Sequence, residues 1–473
     1  MVEMLDMNTF LKEDFFMKKF KKVMALSLAV AMGLSLAACG SGDDATTTEG
    51  TTAGGGDDTQ APATEEVASV EMPSEEGETI YVYSWNTELG ERLEYFRNAY
   101  PQYSDRVEYI NLGLGGTDAE YVTQIDTALQ AGTSAEKYPS ILAADNDLAL
   151  HWAESEYTLP MSDIGIGGDD YSEMYQYTLD YATVDGAVKA LAWQSTPGVF
   201  CYRTDIAEEV LGASDPDSVQ AAVADWDKFF ETADKMKEAG YKMLSGPDDC
   251  KYAIIDSAKT SPWVENDKLN IDTWVTEYLE TAKKLYDGDY TNKTSMWDDA
   301  WKANVDTDVF GYFGCTWFLY WSLNPKEHVN DWNICQGPVV YHWGGTYLAV
   351  GKDCPDTALA ALVIRTLCCD TEVMTKICEE TKDFVNNKAA VKAVSDAGKG
   401  NSEKCGGNDP IPAFMAAAEK IDLSNSTAYD YIFNGFVDTA SAAYNSGEAK
   451  DIDAAIQMVK DAVSDGYNFI TVE

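Results

Sequence analysis

The sequence predicts an α/β protein. Stretches typical of strands and of helices alternate at short spacing from Glu78 onward, which favours β-α-β units around a parallel sheet. Aromatic residues make up 12% of the chain, so residues 78–473 can bury large cores. A folded segment of that length predicts two or three domains.

The first elements follow in the order strand, helix, strand, helix, strand. ETIYVYSWN (78–86), DRVEYINLG (105–113) and YPSILAAD (138–145) are apolar runs rich in strand-forming residues. Apolar residues recur at helical spacing in 87–100 and 117–132, where Pro101 and Gly132 are the stop signals. We therefore expect three parallel strands joined by two helices.

A second group of elements lies farther along the chain. Asp217–Gly240 has one apolar face at helical spacing and is predicted as a single helix, and Asn270–Gly288 repeats the pattern. YKMLSG (241–246), VFGYFGCTWFLYW (309–321) and VVYHWGGTYLAVG (339–351) are predicted strands, the last two aromatic and punctuated by Gly. From Pro355 onward the chain is predicted to be mostly helical.

The amino-terminal segment is typical of an exported protein. Residues 1–38 are predicted to be a signal peptide, because a lysine cluster at 18–22 precedes an apolar stretch at 23–36. That stretch is shorter than the ~20 residues that span a bilayer, and Met17 is an alternative start. Leu36-Ala37-Ala38-Cys39 resembles a bacterial lipobox, which implies cleavage before Cys39 and a lipid on that cysteine.

Residues 39–77 are rich in Gly, Thr and acidic residues and have little to bury, so they are predicted to form a lipid-anchored, disordered linker. A flexible coil of roughly 38 residues reaches about 35 Å end to end. Two or more acyl chains hold a soluble protein stably on a membrane, where one chain would not.

Charge and cysteine content narrow the function classes. The net charge is −46, from 80 acidic and 34 basic residues, so nucleic acid is not an expected partner. Nine cysteines besides Cys39 leave at least one unpaired, and no CxxC motif indicates a zinc or redox site. The three histidines lack metal-ligand spacing, and His342 is interpreted as structural. We expect no metal and no cofactor.

Four stretches in a fixed order carry a family resemblance: GAVKALAWQSTPGVFCYRTDIAEEVLG (186–212), ADWDKFFETADKMKEAGY (224–241), AWKANVDTDVFGYFGCTWFLYW (300–321) and GPVVYHWGGTYLAVGKD (337–353). Together they resemble extracellular solute-binding proteins of family 1, the sugar receptors of ABC importers. The resemblance covers residues 78–473. It departs at Tyr202-Arg203-Thr204, where the family usually has Tyr-Asn-Lys, so ligand contacts there are not carried over.

The resemblance implies a two-lobe, type II periplasmic-binding-protein-like fold with the ligand cleft between the lobes. The amino-terminal lobe would comprise residues 78–194 and 344–384, and the carboxy-terminal lobe residues 195–343 and 385–473. The chain would cross between lobes near Trp193–Gly198, Trp343–Thr346 and Phe384–Asn387.

Ligands of open α/β sheets bind beyond the carboxyl ends of the strands. That rule selects residues 85–86, 111, 145–147 and 247–249. Sugars pack their apolar faces on aromatic rings and need carboxylates and amides for their hydroxyls. The resemblance adds Trp317 in GCTWF, where family members often stack a sugar. The predicted ligand-binding residues are Trp317, Trp343, Trp85, Asn86, Asn111, Asp145, Asp147, Trp263, Asp249 and Phe433. Any of these tryptophans can instead be core, as Trp226 and Trp274 are by their helical spacing.

We therefore expect a lipid-anchored receptor on the extracellular face of a bacterial membrane, acting as a monomer. It would capture a sugar or oligosaccharide by hinge closure and deliver it to ABC permease subunits. The competing interpretations are a glycosidase, which needs two carboxylates at a defined separation, and a surface glycan-binding lipoprotein without transport. HExxH, GxSxG and P-loop motifs do not occur, and no catalytic residue is expected.

Overall fold

The structure is a computed structural model that describes residues 67–68 and 72–473. The predicted signal peptide, Cys39 and most of the predicted linker lie outside the described residues. The strands are β1 (Ile80–Ser84), β2 (Val107–Asn111), β3 (Pro139–Asp145), β4 (Thr183–Val184), β5 (Ala187–Val188), β6 (Ala190–Ala192), β7 (Gly198–Arg203), β8 (Val264–Glu265), β9 (Lys268–Leu269), β10 (Gly311–Cys315), β11 (Trp332–Cys335) and β12 (Thr346–Val350).

The α-helices are α1 (Glu88–Ala99), α2 (Ala119–Ala131), α3 (Asn146–Ala153), α4 (Gln176–Tyr181), α5 (Thr204–Leu211), α6 (Pro216–Ala222), α7 (Trp226–Ala239), α8 (Lys251–Ala258), α9 (Thr273–Asp287), α10 (Asp299–Ala303), α11 (Thr357–Ile364), α12 (Thr371–Thr381), α13 (Lys388–Asp396), α14 (Ile411–Ala418), α15 (Asp430–Ser446) and α16 (Ile452–Gly466). None of the described helices is long and apolar enough to cross a membrane.

The N lobe is built on a five-stranded sheet in the order β2-β1-β3-β12-β6. Strands β1, β2 and β3 are parallel, and β12 runs antiparallel to both β3 and β6. The three predicted strands and the two helices between them are confirmed. β3 is buried along nearly its whole length, as expected for a strand covered by helices on both faces.

The two faces of this sheet have separate cores. On one face, Ile80, Val82 and Leu348 pack with the buried side of α1 and with α11. On the other face, α2 and α3 belong to a larger core that continues into the C lobe. The continuity of that core means that the lobes are in contact.

The C lobe is built on a three-stranded antiparallel sheet in the order β10-β7-β11. Helices α5, α6 and α14 pack against it, and farther out α9 packs along α15. The expected helical content after Pro355 is confirmed by six helices in the described residues, α11 to α16.

The three segments that are expected to cross between the lobes lie side by side. Ser195 N donates to Phe384 O at 3.0 Å, and Asn386 N donates to Trp193 O at 2.9 Å. Trp343 N donates to Thr196 O at 3.1 Å. The three segments expected to cross between the lobes are thus hydrogen-bonded to one another.

Several predicted elements differ from the structure. The single helix predicted for Asp217–Gly240 is two helices, α6 and α7. The carboxylate of Asp225 accepts from Lys228 N at 2.8 Å and starts α7 afresh. The strand predicted at 241–246 pairs only through isolated bridges, Lys242 with Val309 and Leu244 with Thr291.

The two aromatic strands are shorter than predicted. The first is strand only over β10, and a π-helical turn at Phe318–Ser322 follows it. The second is strand only over β12, because Gly344 and Gly345 have φ values of +69° and +111° that interrupt a ladder.

The described chain joins the N lobe earlier than predicted. At its amino-terminal end, Tyr103 Oη donates to Pro73 O at 2.7 Å, so the chain is part of the N lobe before Glu78.

Candidate ligand cleft

Two carboxylates stand where β3 ends and α3 begins. Asp145 is the N-cap of α3, and its Oδ1 accepts from Asp147 N at 3.0 Å. Both side chains are only partly buried, and neither forms an ion pair with another described residue. The strand end and the helix start therefore place two carboxylates together at the edge of the sheet, facing the C lobe.

Burial changes the acidity of both groups. It raises the pKa of Asp145 to about 7, and the neighbouring carboxylate of Asp147 adds to the rise. Burial also raises the pKa of Asp147, although the positive charges of Lys251 and His342 oppose the rise. Near neutral pH the Asp145 carboxyl is therefore protonated part of the time, and in that form it can donate a hydrogen bond as well as accept one.

The C lobe faces these carboxylates with α8. Lys251 Nζ pairs with Asp438 Oδ2 of α15 at 2.7 Å. Asp256 Oδ2 accepts from the backbone nitrogen of His342 at 2.6 Å and lies 2.5 Å from its Nδ1. Helix α8 is thus tied both to α15 and to the second crossing between the lobes.

Aromatic rings form a second wall of the cleft. The Trp343 ring stacks on Tyr252, with centroids 4.9 Å apart, and meets the edge of Trp317 at 4.9 Å. The Trp317 and Trp297 rings are nearly parallel, 16° apart, with centroids separated by 6.0 Å. Trp317 Nε1 donates to Trp343 O at 2.9 Å, which fixes the Trp317 ring to the crossing.

The exposure of these rings differs. Trp343 is only 4% exposed, so it supports the Trp317 and Trp297 rings and has almost no free face of its own for a ligand. Trp317 is half-buried, while Trp297 is 45% exposed and has a φ of +74°. A non-glycine residue with positive φ is uncommon and is often found at functional sites. Sequence reasoning missed Trp297, although a lone tryptophan in the polar run 291–299 was an available signal.

The N-lobe candidates have local roles. The Trp85 ring is half-buried and meets Tyr121 edge-on at 5.6 Å. Asn86 Oδ1 accepts from Glu88 N, and Asn111 Oδ1 accepts from Gly113 N, both at 2.9 Å. These amides order the turns after β1 and β2, and their NH2 groups remain available as donors.

Three predicted site residues lie inside the C lobe instead of in the cleft. Trp263 and Phe433 are buried against each other, and Trp263 Nε1 donates to Asn434 Oδ1 at 3.0 Å. Asp249 is buried, and its carboxylate accepts from Ser245 N, Gly246 N and Trp301 Nε1. These side chains have almost no free surface to offer a ligand. The strand-end rule does not apply at Asp249, since 241–246 is not a strand.

One hydrogen bond joins the lobes at another edge of the cleft. Tyr431 Oη, in the first turn of α15, donates to Thr117 O in the loop before α2. Tyr431 is within reach of the charges of Asp147 and Asp145. This contact therefore closes the cleft on the side of the two carboxylates.

A possible metal-ligand group lies away from the cleft. The ligand atoms of Asp205, His328 and Asp331 are close enough to share one ion. Arg203, however, binds both carboxylate oxygens of Asp205, at 2.8 and 2.6 Å. The guanidinium already supplies the positive charge there, so we assign no metal to this group.

Comparisons with known proteins agree with this architecture. The family model described as bacterial extracellular solute-binding protein matches residues 114–402. No match was found among the curated proteins. A crystal structure of an extracellular solute-binding protein family 1 member aligns with a TM-score of 0.68 at 17% identity, covering 82% of this chain and 99% of that chain.

Two further solved structures are sugar complexes. One is the ABC transporter associated binding protein of B. animalis subsp. lactis Bl-04 with β-1,6-galactobiose; the TM-score is 0.64, the identity 19%, and the coverage 84% of this chain and 100% of that chain. The other is the galacto-N-biose/lacto-N-biose I-binding protein of Bifidobacterium longum with lacto-N-biose, with a TM-score of 0.63, 15% identity, and coverage of 84% and 98%. At these identities the likeness shows the fold, and it confirms the predicted two-lobe periplasmic-binding architecture.

Proposed function

The chain belongs to the bacterial extracellular solute-binding proteins, and from that premise we propose that it captures a carbohydrate outside the membrane for an ABC importer. Its partners would be permease subunits in the membrane. The sugars bound by the structural relatives support a carbohydrate as the ligand. The chain would act as a monomer and would make or break no bond in its ligand.

The composition of the cleft is the observation that carries the proposal. In the aromatic wall, Trp297, Trp317 and Trp343 contact one another, and Trp343 stacks on Tyr252, on which the charges of Asp147 and Asp145 act. Rings can bury the C–H face of a sugar at little entropic cost, and ionised oxygens make stronger hydrogen bonds to its hydroxyls than neutral acceptors do. The cleft therefore suits a ligand with both kinds of surface.

Capture would proceed by closure about the three crossings. A ligand held by one lobe contributes contacts to the other, and those contacts shift the population toward the closed state. Tyr431 and Thr117 then meet across the cleft, as they do here. The permease would recognise the surface that the two lobes present only when they are together.

We also propose that the protein is anchored by a lipid on Cys39 and works at the extracellular face of the membrane. The proposal follows from the lipobox-like quartet and from the apolar stretch before it. The linker that follows Cys39 would let the lobes stand off the membrane while remaining close to the permease.

A ligand screen tests the proposal. Residues 72–473 would be heated with and without β-1,6-galactobiose, lacto-N-biose, maltose and acarbose, sugars that occur in complexes of structural relatives. A ligand at about 100 times its dissociation constant should add roughly 2.7 kcal/mol to the free energy of unfolding. Stabilisation by none of these sugars would contradict carbohydrate capture.

The same samples test the glycosidase alternative. Asp145 and Asp147 are neighbouring carboxylates, and one of them has a pKa near neutrality, a feature that glycosidases use. After a day with the bound sugar, chromatography should recover it intact. Cleavage with many turnovers per protein molecule would place the chain among enzymes, and its loss in an Asp145→Asn variant would exclude a contaminant.

A further inference from the structure

One buried nitrogen in the cleft lacks a partner. His342 is only 7% exposed, yet its Nε2 has no hydrogen-bond partner in the described part of the chain. Buried polar side-chain atoms are nearly always hydrogen-bonded, because an unpaired one costs about 1–3 kcal/mol. This nitrogen has almost no accessible surface here, so a ligand would have to reach it when the two lobes separate, and such a ligand would supply the partner that the described chain does not.

The other side of the imidazole is fixed. Asp256 Oδ2 lies 2.5 Å from His342 Nδ1 and also accepts the backbone N–H of the same residue at 2.6 Å. The same carboxylate oxygen accepts the hydrogen bond from the backbone N–H and therefore acts as an acceptor toward Nδ1 too. Nδ1 is then the donor and carries the hydrogen. The ring is then held in one orientation and one tautomer, with Nε2 directed away from α8.

The surroundings of the ring are those of the cleft. The negative charges of Asp147 and Asp145, beyond that of Asp256, act on His342. Trp343, the next residue, belongs to the aromatic wall, and the Tyr177 ring centroid lies 6.2 Å from the imidazole. His342 is therefore adjacent in the chain to the aromatic wall and lies within reach of the charges of the two carboxylates.

We propose that His342 Nε2 binds the ligand directly, by a hydrogen bond to a sugar hydroxyl, and that Asp256 is the residue that positions the ring. This inference rests on the proposed function. With Nδ1 protonated, Nε2 accepts from a hydroxyl when the ring is neutral and donates to it when the ring is charged. An ionised Asp147 can only accept. Together they fit two neighbouring hydroxyls of one sugar ring.

Three variants separate this role from a structural one. In His342→Asn the shorter amide can still reach Asp256, but nothing replaces Nε2. In His342→Gln the amide extends to about the Nε2 position. His328→Asn is the matched control, since that histidine lies by Asp331 on the C-lobe surface. Calorimetry with the sugar identified in the screen should show about tenfold weaker binding for His342→Asn, a smaller loss for His342→Gln, and no change for His328→Asn.

A spectroscopic measurement on the unaltered protein completes the test. The chain has three histidines, so imidazole ¹⁵N signals can be assigned with one variant each. The Nε2 signal of His342 should move when the sugar is added, and should stay in place with a sugar that does not bind. Unchanged affinity in His342→Asn, or an Nε2 signal that ignores the bound sugar, overturns this inference and leaves the proposed function standing. If wild type binds no sugar of the panel, both fail.

Discussion

Trp317 combines two roles at the residue scale. Its half-buried ring lies parallel to Trp297, and its Nε1 donates to Trp343 O in the crossing between the lobes. Truncation would therefore remove an aromatic surface from the cleft and also leave a backbone carbonyl of the crossing without its donor. The ring would contribute mainly to ligand affinity, while the hydrogen bond would contribute mainly to the stability of the free protein.

We predict that Trp317→Ala weakens sugar binding about 30- to 700-fold, because a central stacked aromatic is worth about 2–4 kcal/mol. The free energy of unfolding should fall by about 1–3 kcal/mol through the lost hydrogen bond. Trp321→Ala is the control, since that ring is 57% exposed on the following turn. Calorimetry and denaturant unfolding measure the two effects. A large loss of stability with normal affinity would make Trp317 a core residue.

The acidity of Asp145 predicts a dependence of stability on pH. The folded-state pKa, about 7, lies above the ordinary value of 3.8, so the folded protein holds this proton more tightly than the unfolded chain does. The stabilisation from that proton is complete below about pH 4 and is lost as the pH rises through 7. An ionised Asp145 without a positively charged partner lowers the stability of the free protein. In the proposed function it would accept a hydrogen bond from a ligand hydroxyl.

Asp145→Asn should therefore be more stable than wild type at pH 8 by up to ~4 kcal/mol, at about 1.4 kcal/mol per unit of pKa. The difference should shrink toward pH 4. Sugar affinity should fall, because the amide is a weaker acceptor than a carboxylate. Denaturant unfolding at pH 4, 6 and 8 measures the difference in free energy of unfolding between the two proteins. Burial also raises the pKa of Glu88 to about 7, but that group is the same in both proteins and does not affect the difference. A difference that stays constant with pH would contradict the prediction.

At the scale of elements, the sequence predicted helices and strands correctly where a single spacing of apolar residues ran between clear stop signals. β1 to β3 and their connecting helices are of this kind, and β3 ends at Asp145, next to Asp147, at the carboxyl edge of the sheet where the strand-end rule predicts a ligand site. The apolar face of 217–240 hid a break, because the cap at Asp225 ends one helix and starts another. Continuity of an apolar face does not establish continuity of a helix.

The rest of the site depends on tertiary contacts that periodicity does not contain. Trp263 lies in the core because Trp274 and Phe433 reach it from two distant helices. Trp297 is 45% exposed, in a loop where its own φ is positive. The orientation of the His342 ring, which leaves Nε2 without a partner, depends on Asp256, which lies 86 residues earlier in the chain. Residue type alone distinguishes none of these three cases.

Helix α15 contributes the closing contact, and Tyr431→Phe tests it. Without the hydroxyl, Thr117 O loses its donor, and the closed state loses about 1 kcal/mol. Ligand should dissociate roughly fivefold faster, while unfolding of the free protein should hardly change. Tyr429→Phe is the control on the turn before, where the ring packs on Phe433. Surface plasmon resonance measures both dissociation rates, and equal rates for the two variants would show that the contact does not stabilise closure.

At the scale of the whole molecule, the candidate cleft and the point where residues 73–74 join the N lobe lie on different sides of that lobe. Tyr103 and Arg106 bind the backbone at Pro73 and Ser74, and Tyr103 belongs to the core under α1 and α11. The carboxylates of the cleft stand at the start of α3, whose buried residues belong to the other core. A chain that enters on the α1 and α11 side can lead to a membrane anchor without covering the cleft.

This separation predicts that the proposed anchoring and the proposed ligand binding are independent of each other. Cys39→Ala should release the protein into the medium or leave its precursor unprocessed, because no lipid can then be attached. The released form should bind the sugar of the screen with the affinity of residues 72–473 alone. Deleting residues 45–60, which lie between the anchor and the described part, should leave both attachment and affinity unchanged. Membrane fractionation and calorimetry measure the two properties. A Cys39→Ala protein of mature size that stays with the membrane would refute the lipid anchor, and a change in affinity on release would mean that the tether reaches the cleft.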